Sequence, residues 1–276
     1  MIVHLVDGTY ELFRHFYGRR RGETNGTDAP FGAAAGVLHT VLEMLEGGAT
    51  HVGVATDHVI ESFRNDLWPG YKTGDGIDPA LWAQFHPLED ALAALGVAIW
   101  PMVDLEADDG LASAAHLAAA DPGVQRICIW TPDKDLAQCV VGDRIVQMDR
   151  RSKQQRDAVG VREKFGVDPA LIPDFLALVG DSADGYPGIK GIGKVGAARL
   201  INRHGPIESF PAAELGGDRR EHALLFKRLA TLKQDEHLFD SVEDLRWRGP
   251  TPQFTSWAEK LGPAVIARSQ RAIPVS

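Results

Sequence analysis

The chain has 276 residues, 44% hydrophobic and 24% charged, enough for a substantial core in one large or two modest domains. No apolar run reaches the ~20 residues that cross a bilayer, and no basic region precedes the first apolar run, so neither a membrane helix nor a secretory leader is expected, and a cytoplasmic protein is. The net charge of −9 argues against a polyanion-binding protein only until it is divided: residues 1–125 carry 6 Lys and Arg against 18 Asp and Glu, a net of −12, whereas residues 126–276 carry 23 against 20, a net of +3.

In chain order, Ile2–Val6 reads as a buried parallel strand that delivers Asp7 at its carboxyl end. Thr9 can cap a helix over Tyr10–Tyr17, with Arg14 in its middle. The segment 18–30, GRRRGETNGTDAP, reads as a solvated loop whose three arginines could also meet a phosphate backbone. Phe31–Leu45 has helical periodicity, and His51–Thr56 is a second strand, delivering Asp57. A short helix over Glu61–Trp68 carries Arg64 and stops at Pro69-Gly70. Tyr71-Lys72 opens an irregular segment to about Asp78, followed by a helix from Pro79 to Leu95 that Pro87 should interrupt. Val97–Trp100 is a third strand. Glu106–Ala120 is a helix with Glu106, Asp108 and Asp109 in its first turn; the macrodipole favours acids there, but three exceed what capping needs. Arg126–Trp130 is a fourth strand, followed by TPDKDLAQ with Asp133 and Asp135, and Arg144–Met148 is a fifth. Strands alternating with helices predict a mostly parallel sheet with helices on both faces. From about residue 160 the pattern is helical, and the tail Arg268–Ser276 is expected to be loosely held. Cys128 and Cys139 sit in apolar surroundings without metal-type spacing and read as buried reduced thiols.

The stretch GDSADGYPGIKGIGKVGAARLINRHG, residues 180–205, carries two separable chemistries. Asp181 and Asp184 are three apart, which on a helix would aim both at one cation. Gly188, Gly191 and Gly193 let backbone N–H groups approach an anion, and a helix starting near Lys194 would present unpaired donors and a partial positive charge to it; Arg199 and Arg203 follow on that helix. Such a backbone grip reads phosphates without reading bases.

Asp7, Asp57, Glu106, Asp108, Asp109, Asp133, Asp135, Asp181 and Asp184 make nine acids, most just beyond a strand or at a helix start. In an open α/β sheet they would converge in the crevice outside the carboxyl ends of the strands. So many like charges require cations. The set is all oxygen, which favours Mg²⁺ or Mn²⁺ over zinc, and its surplus over one octahedral ion suggests two, the arrangement that serves in-line attack on a phosphodiester.

The blocks LVDGTYELFR, ATDHVIESFRNDLWPGYK, LEADDGLAS, TPDKDLAQ and GDSADGYPGIKGIGKVGAARL occur in that order over residues 2–205 and resemble the 5′-nuclease (flap endonuclease) family, which includes the 5′-nuclease domains of bacterial DNA polymerases. The resemblance implies a PIN-like α/β core over residues 1–158 with an arch segment at about 69–88, and over 159–276 a helical region, packed on it as one unit, that contains a helix–three-turn–helix motif for duplex DNA, with K⁺ at its hairpin. It implies two-metal hydrolysis by a monomer near a 5′ end, nick or flap, in DNA replication and repair, on DNA and on the RNA of RNA–DNA hybrids. By motif position, Asp7, Asp57, Glu106, Asp108 and Asp133 would surround one metal, and Asp133, Asp135, Asp181 and Asp184 the other, with Asp109 behind them. Lys72 matches the catalytic lysine, acting with Asp133 and Asp135, and Tyr71 would stack on a terminal base. Arg14 and Arg64 fall on basic positions, and Gly188, Lys190, Gly191, Gly193 and Lys194 on the DNA-gripping hairpin.

The chain departs from the pattern at His58, where many members have lysine, and at Asp75, where arginine is usual. No Lys or Arg occurs between Lys72 and Arg126, a span that includes the arch. Exonucleolytic or short-flap cutting is therefore expected over clamping of long flaps. A phosphatase with an aspartate nucleophile two residues before Asp7 is excluded by Leu5. The alternative is a catalytically silent DNA-junction binder.

Overall fold

The structure, a computed structural model, describes residues 1–20, 30–272 and 274. The arginine loop expected between residues 18 and 30 lies largely outside them, as does the end of the C-terminal tail. In chain order the elements are β1 (Ile2–Asp7), α1 (Gly8–Arg20), α2 (Gly32–Glu46), β2 (His51–Asp57), α3 (Phe63–Leu67), α4 (Pro79–Trp82), α5 (Phe85–Leu95), β3 (Ala98–Met102), α6 (Ala107–Ala120), β4 (Arg126–Trp130), β5 (Ile145–Asp149) and β6 (Gln154–Arg156). Then follow α7 (Ala158–Phe165), α8 (Ile172–Val179), α9 (Lys194–His204), α10 (Asp218–Ala230), α11 (Phe254–Leu261) and α12 (Pro263–Ser269). Among the described residues no helix is long and apolar enough to cross a membrane.

The sheet runs β3-β2-β1-β4-β5-β6, parallel except for β6. β1 is central because Val3, Leu5 and Val6 are fully buried, and only a strand covered on both faces tolerates that. It pairs with β2 from Val3↔His51 to Asp7↔Ala55, and with β4 from Ile2↔Arg126 to Val6↔Trp130. The chain builds outward from β1 through β2 and β3, then returns to its other side for β4. That reversal puts the crevice at the carboxyl ends of β1 and β4.

One core lies between the sheet and α1, α2 and α5; a second covers the other face beneath α6; a third joins α7 to α10. The C-terminal segment returns to the first core. Trp247, Phe254, Ala258, Val265 and Ala272 are buried there, Trp247 Nε1 donates to Leu95 O at 2.8 Å, and Arg268 and Arg271 pair with Glu46 at 3.2 and 3.1 Å. The tail expected to be loose is thus held as far as Ala272, because its apolar positions recur at helical spacing against α2.

Two further expectations change. The helix expected over Pro79–Leu95 breaks at Ala83-Gln84, where Gln84 is buried and its Oε1 accepts from the N–H of Ala33 and Ala34 at 3.0 and 3.1 Å, capping α2. Pro87 instead sits in the first turn of α5, where its missing N–H costs nothing. The short antiparallel β6 was not expected; it pairs Gln147↔Arg156 to Asp149↔Gln154.

Candidate active site

Six of the nine acids, Asp7, Asp57, Glu106, Asp108, Asp133 and Asp184, line a single pocket of about 370 Å³ at the carboxyl ends of the strands. Carboxylate oxygens of Asp135 and Asp181 lie within 4.8 Å of one another and of one on Asp184, so Asp184 joins the two groups. The crevice therefore gathers eight acids drawn from Asp7 to Asp184.

Local structure fixes five of them. Asp7 accepts from Tyr10 N at 2.8 Å, capping α1, and from Thr131 Oγ1 at 2.9 Å. Asp57 accepts from Ala107 N at 2.8 Å at the start of α6, while its own N–H donates to Thr9 Oγ1 at 2.8 Å. Asp133 accepts from Asp135 N at 2.9 Å. Asp181 and Asp184 are not on a helix as their spacing suggested. They occupy a turn closed by backbone bonds between Asp181 and Tyr186 at 2.8 and 3.0 Å, which curls both acids toward Asp135.

That turn is locked to the segment carrying Lys72. Lys72 N donates to Asp184 O at 3.1 Å and Trp68 Nε1 to Gly185 O at 3.0 Å. Gly185 has φ +83°, and a Cβ there would lie 1.9 Å from Gly70 O, so only glycine permits the approach. The Lys72 ammonium consequently stands 2.6 Å from Glu106 Oε2 and 3.2 Å from Asp184 Oδ1.

Electrostatically the crevice is split. Burial, then the charges of Asp57 and Asp133, push the Asp7 carboxyl up to about 7. Burial raises Asp184 to about 6 despite Lys72, with Asp181 adding to the rise. Burial and neighbouring carboxylates drive Asp108 and Asp135 well above the usual range. Asp135 Oδ1 is buried and has no hydrogen-bond partner. Glu106 is the opposite: burial works against its charge, but Lys72 and Arg64 more than offset that and hold it below the usual carboxylate range. An oxygen-only set with surplus negative charge and an unmet buried acceptor fits one or more hard divalent cations.

Three expected site residues are placed elsewhere. Arg64 is 1% exposed and cannot reach DNA: it grips Asp109 through Nη1 and Nη2, both at 2.7 Å, donates to Glu106 at 3.0 Å, and caps the carbonyls of Leu229 and Thr231 at 2.8 and 3.3 Å. Asp109, fully buried, is consumed by that grip and by the N–H groups of Glu106 and Lys233, so it is no metal ligand. Tyr71 is buried in the helical core with its hydroxyl donating to Glu106 at 3.3 Å, which leaves no ring face for a base. Arg14 is bound to Glu11 at 2.5 Å but remains partly exposed, beside Tyr17, Arg150 and Arg151.

The α8–α9 element carries the expected glycine turn. A Cβ on Gly188, φ +69°, would lie 2.3 Å from Gly180 N, so two backbone segments touch there. Gly193 caps α9; Lys190, Gly191, Gly193 and Lys194 are all exposed. The sequence reading missed Thr131 and Ser62, hydroxyls that fix Asp7 and Glu106, and Lys134, whose ammonium sits on Asp181 Oδ2. Lys134 had a visible signal, a cation between two acids; the hydroxyls had none beyond lying next to turns.

Fold and crevice together define the class: an open α/β sheet with an oxygen-only acidic crevice at its switch point. Residues 2–166 match the family described as 5′-3′ exonuclease, N-terminal resolvase-like domain, and residues 167–253 match 5′-3′ exonuclease, C-terminal SAM fold. The chain belongs to the 5′-3′ exonuclease family. DNA polymerase I of Pseudomonas aeruginosa is 34% identical over 260 residues, 87% of this chain and 28% of the relative. DNA polymerase I of Mycobacterium leprae is 30% identical over 253 residues, 88% of this chain and 27% of the relative. The chain thus spans under a third of the length of these relatives. T5 5′-exonuclease with divalent metal ions (zinc) bound superposes with a TM-score of 0.66 at 16% identity, covering 99% of this chain and 98% of that one. The catalytic core of Rad2 in complex with DNA substrate gives 0.60 at 16% identity, covering 98% and 91%. Both share the fold: a PIN-like α/β core with a SAM-like helical part.

Proposed function

We propose that the chain is a structure-specific 5′-nuclease that hydrolyses DNA phosphodiesters near a 5′ end, nick or short 5′ flap, in replication and repair. The observation that carries this reading is Asp135, a buried carboxylate with an unpartnered oxygen beside Asp181 and Asp184. Such a group is unfavourable unless a cation completes it. Asp7, Asp57, Asp108 and Asp133 would hold one ion, beside Glu106, which was expected among its ligands but whose oxygens Ser62, Arg64, Tyr71 and Lys72 already fill, and Asp133, Asp135, Asp181 and Asp184 a second, Mg²⁺ or Mn²⁺ by the oxygen-only donor set. Bound there, the ions supply an acidified water and charge stabilisation at the phosphoryl oxygens. The T5 5′-exonuclease with divalent metal ions bound and the Rad2 core in complex with a DNA substrate agree with both ligands.

The chain's own groups do the rest. Lys72, at the crevice mouth, offers its ammonium to an oxygen of the scissile phosphate, while Tyr71 and Ser62 fix Glu106 behind it. Lys190, Lys194 and the backbone at Gly188, Gly191 and Gly193 hold a duplex phosphate whatever the sequence, with K⁺ as the counterion suited to that turn. A grip on phosphates tolerates RNA in an RNA–DNA hybrid. One chain carries every group, so a monomer suffices. The absence of Lys and Arg between Lys72 and Arg126 favours exonucleolytic or short-flap cutting.

A 5′-labelled branched duplex tests the reading. Cleavage in Mg²⁺ or Mn²⁺ and none in EDTA is expected. A substrate that is shifted in a gel yet stays intact in both metals would make the chain a silent junction binder.

A further inference from the structure

Between α7, α8 and α9 lies a cleft of about 600 Å³ bordered by Lys134, Lys164 and Lys194 over an apolar floor that includes Phe165 and Leu176. It begins at Asp181, in the acidic cluster, and ends at Lys194, the first residue of α9 beyond the glycine turn. Lys134 lies on Asp181. Lys164 is exposed above the Phe165 ring at 5.0 Å, and neither it nor Lys194 pairs with a carboxylate among the described residues. Partial burial of its stem, then Arg156 nearby, draws the Lys164 ammonium below its usual range, with the more distant Asp149 and Asp133 acting in the other direction. Three cations thus face one carboxylate in a chain whose net charge is −9.

A strand reaching from the turn to the crevice must pass from a positive to a strongly negative region. Surface charges act over roughly a 10 Å Debye length, so the strand needs cations along that passage and not only at its two ends.

We propose that this cleft is a track for a phosphodiester of the bound strand, with Lys134 and Lys164 as its cations and Lys194 at its far end. The inference rests on the nuclease reading above. Lys134 serves both sides: it neutralises Asp181 in the free chain and turns to a phosphate once that carboxylate is otherwise met.

Lys164→Met and Lys164→Arg test the track. Binding of a 5′-flap duplex is followed by fluorescence anisotropy in EDTA, which prevents turnover, from about 50 to 200 mM KCl. Lys164→Met should weaken binding about threefold to tenfold and lower the slope of log K against log salt by about 0.9, as expected for one lost phosphate contact. Lys164→Arg should keep the slope, and both variants should keep the wild-type melting temperature. Wild-type binding with Lys164→Met unchanged in affinity and slope overturns the track alone. A wild-type chain that binds no branched duplex overturns the nuclease reading and the track with it. If inorganic phosphate raises the melting temperature of wild type and not of Lys164→Met while their duplex affinities agree, the cleft takes a small free phosphate and the strand track is overturned.

Discussion

Glu106 and Asp135 are both carboxylates at the mouth of the same sheet, 3% and 5% exposed, and the fold treats them in opposite ways. Glu106 Oε1 accepts from Ser62 and Arg64, and Oε2 from Tyr71 and Lys72, so its acceptor sites are filled from within the chain. Asp135 Oδ1 accepts nothing and is surrounded by Asp133, Asp184 and Asp181. A buried charge matched by the chain is part of the architecture; one left unmatched among like charges is where an external cation is required. The Glu106 side, with Arg64, Asp109 and Lys72, is a built wall. The Asp135 side is the part that awaits a ligand.

The sharpest way to break this contrast is Asp135→Asn. Losing an ion ligand should cut cleavage by about a thousandfold or more, several kcal/mol of barrier. In EDTA the same change should raise stability by about 1 kcal/mol, because it removes a like charge the free fold cannot satisfy. Retained turnover, or a lower melting temperature in EDTA, would show that Asp135 belongs to the wall.

Arg64→Met probes the other side and should have the opposite sign. It strands Asp109 as an uncompensated buried charge and takes one of the two cations from Glu106, a loss of about 3–5 kcal/mol in chemical denaturation. Adding Asp109→Asn should recover part of it, since the two changes share one network. If the single variant loses less than about 1 kcal/mol, the wall is not held by its ion pairs.

Much of this is legible in the amino-acid sequence. Asp7, Asp57 and Asp133 follow apolar strands, and the period of burial that defines a parallel strand also says where its carboxyl end points, so the crevice could be inferred from spacing alone. What sequence could not reveal was which charges cancel. Arg64 and Arg14 look equally available on their short helices, yet only Arg64 finds carbonyls 165 and 167 residues away and two acids at the start of α6, and is buried by them. Tyr71 is next to Lys72, but the backbone bond from Lys72 to Asp184 turns its ring inward. Asp181 and Asp184 have helical spacing in a segment whose glycines make a turn instead. The break at Gln84 depends on a partner 50 residues earlier, an interaction no local pattern encodes.

Glu11 gives the mildest test, because it is a matched carboxylate outside the acids of the crevice. It is 1% exposed, and accepts from Arg14 Nη2 at 2.5 Å and Nε at 3.1 Å and from Thr40 Oγ1 at 3.1 Å, with His15 Nε2 3.6 Å away. Burial opposes its charge, but the nearby His15 and the bonds to Arg14 prevail and hold it down at about 2, from an ordinary 4.5. A folded value below the unfolded one means that the stability it contributes is present above pH 4.5 and is lost as pH falls toward 2. That contribution is on the order of 3 kcal/mol. Glu11→Gln should therefore be less stable than wild type at neutral pH, and the gap should close as the pH is lowered through this window, because wild type then protonates the group the variant lacks. Denaturation curves that stay parallel from neutral to acid pH would mean that Glu11 is not a matched charge, and the division between wall and ligand site would lose its simplest control.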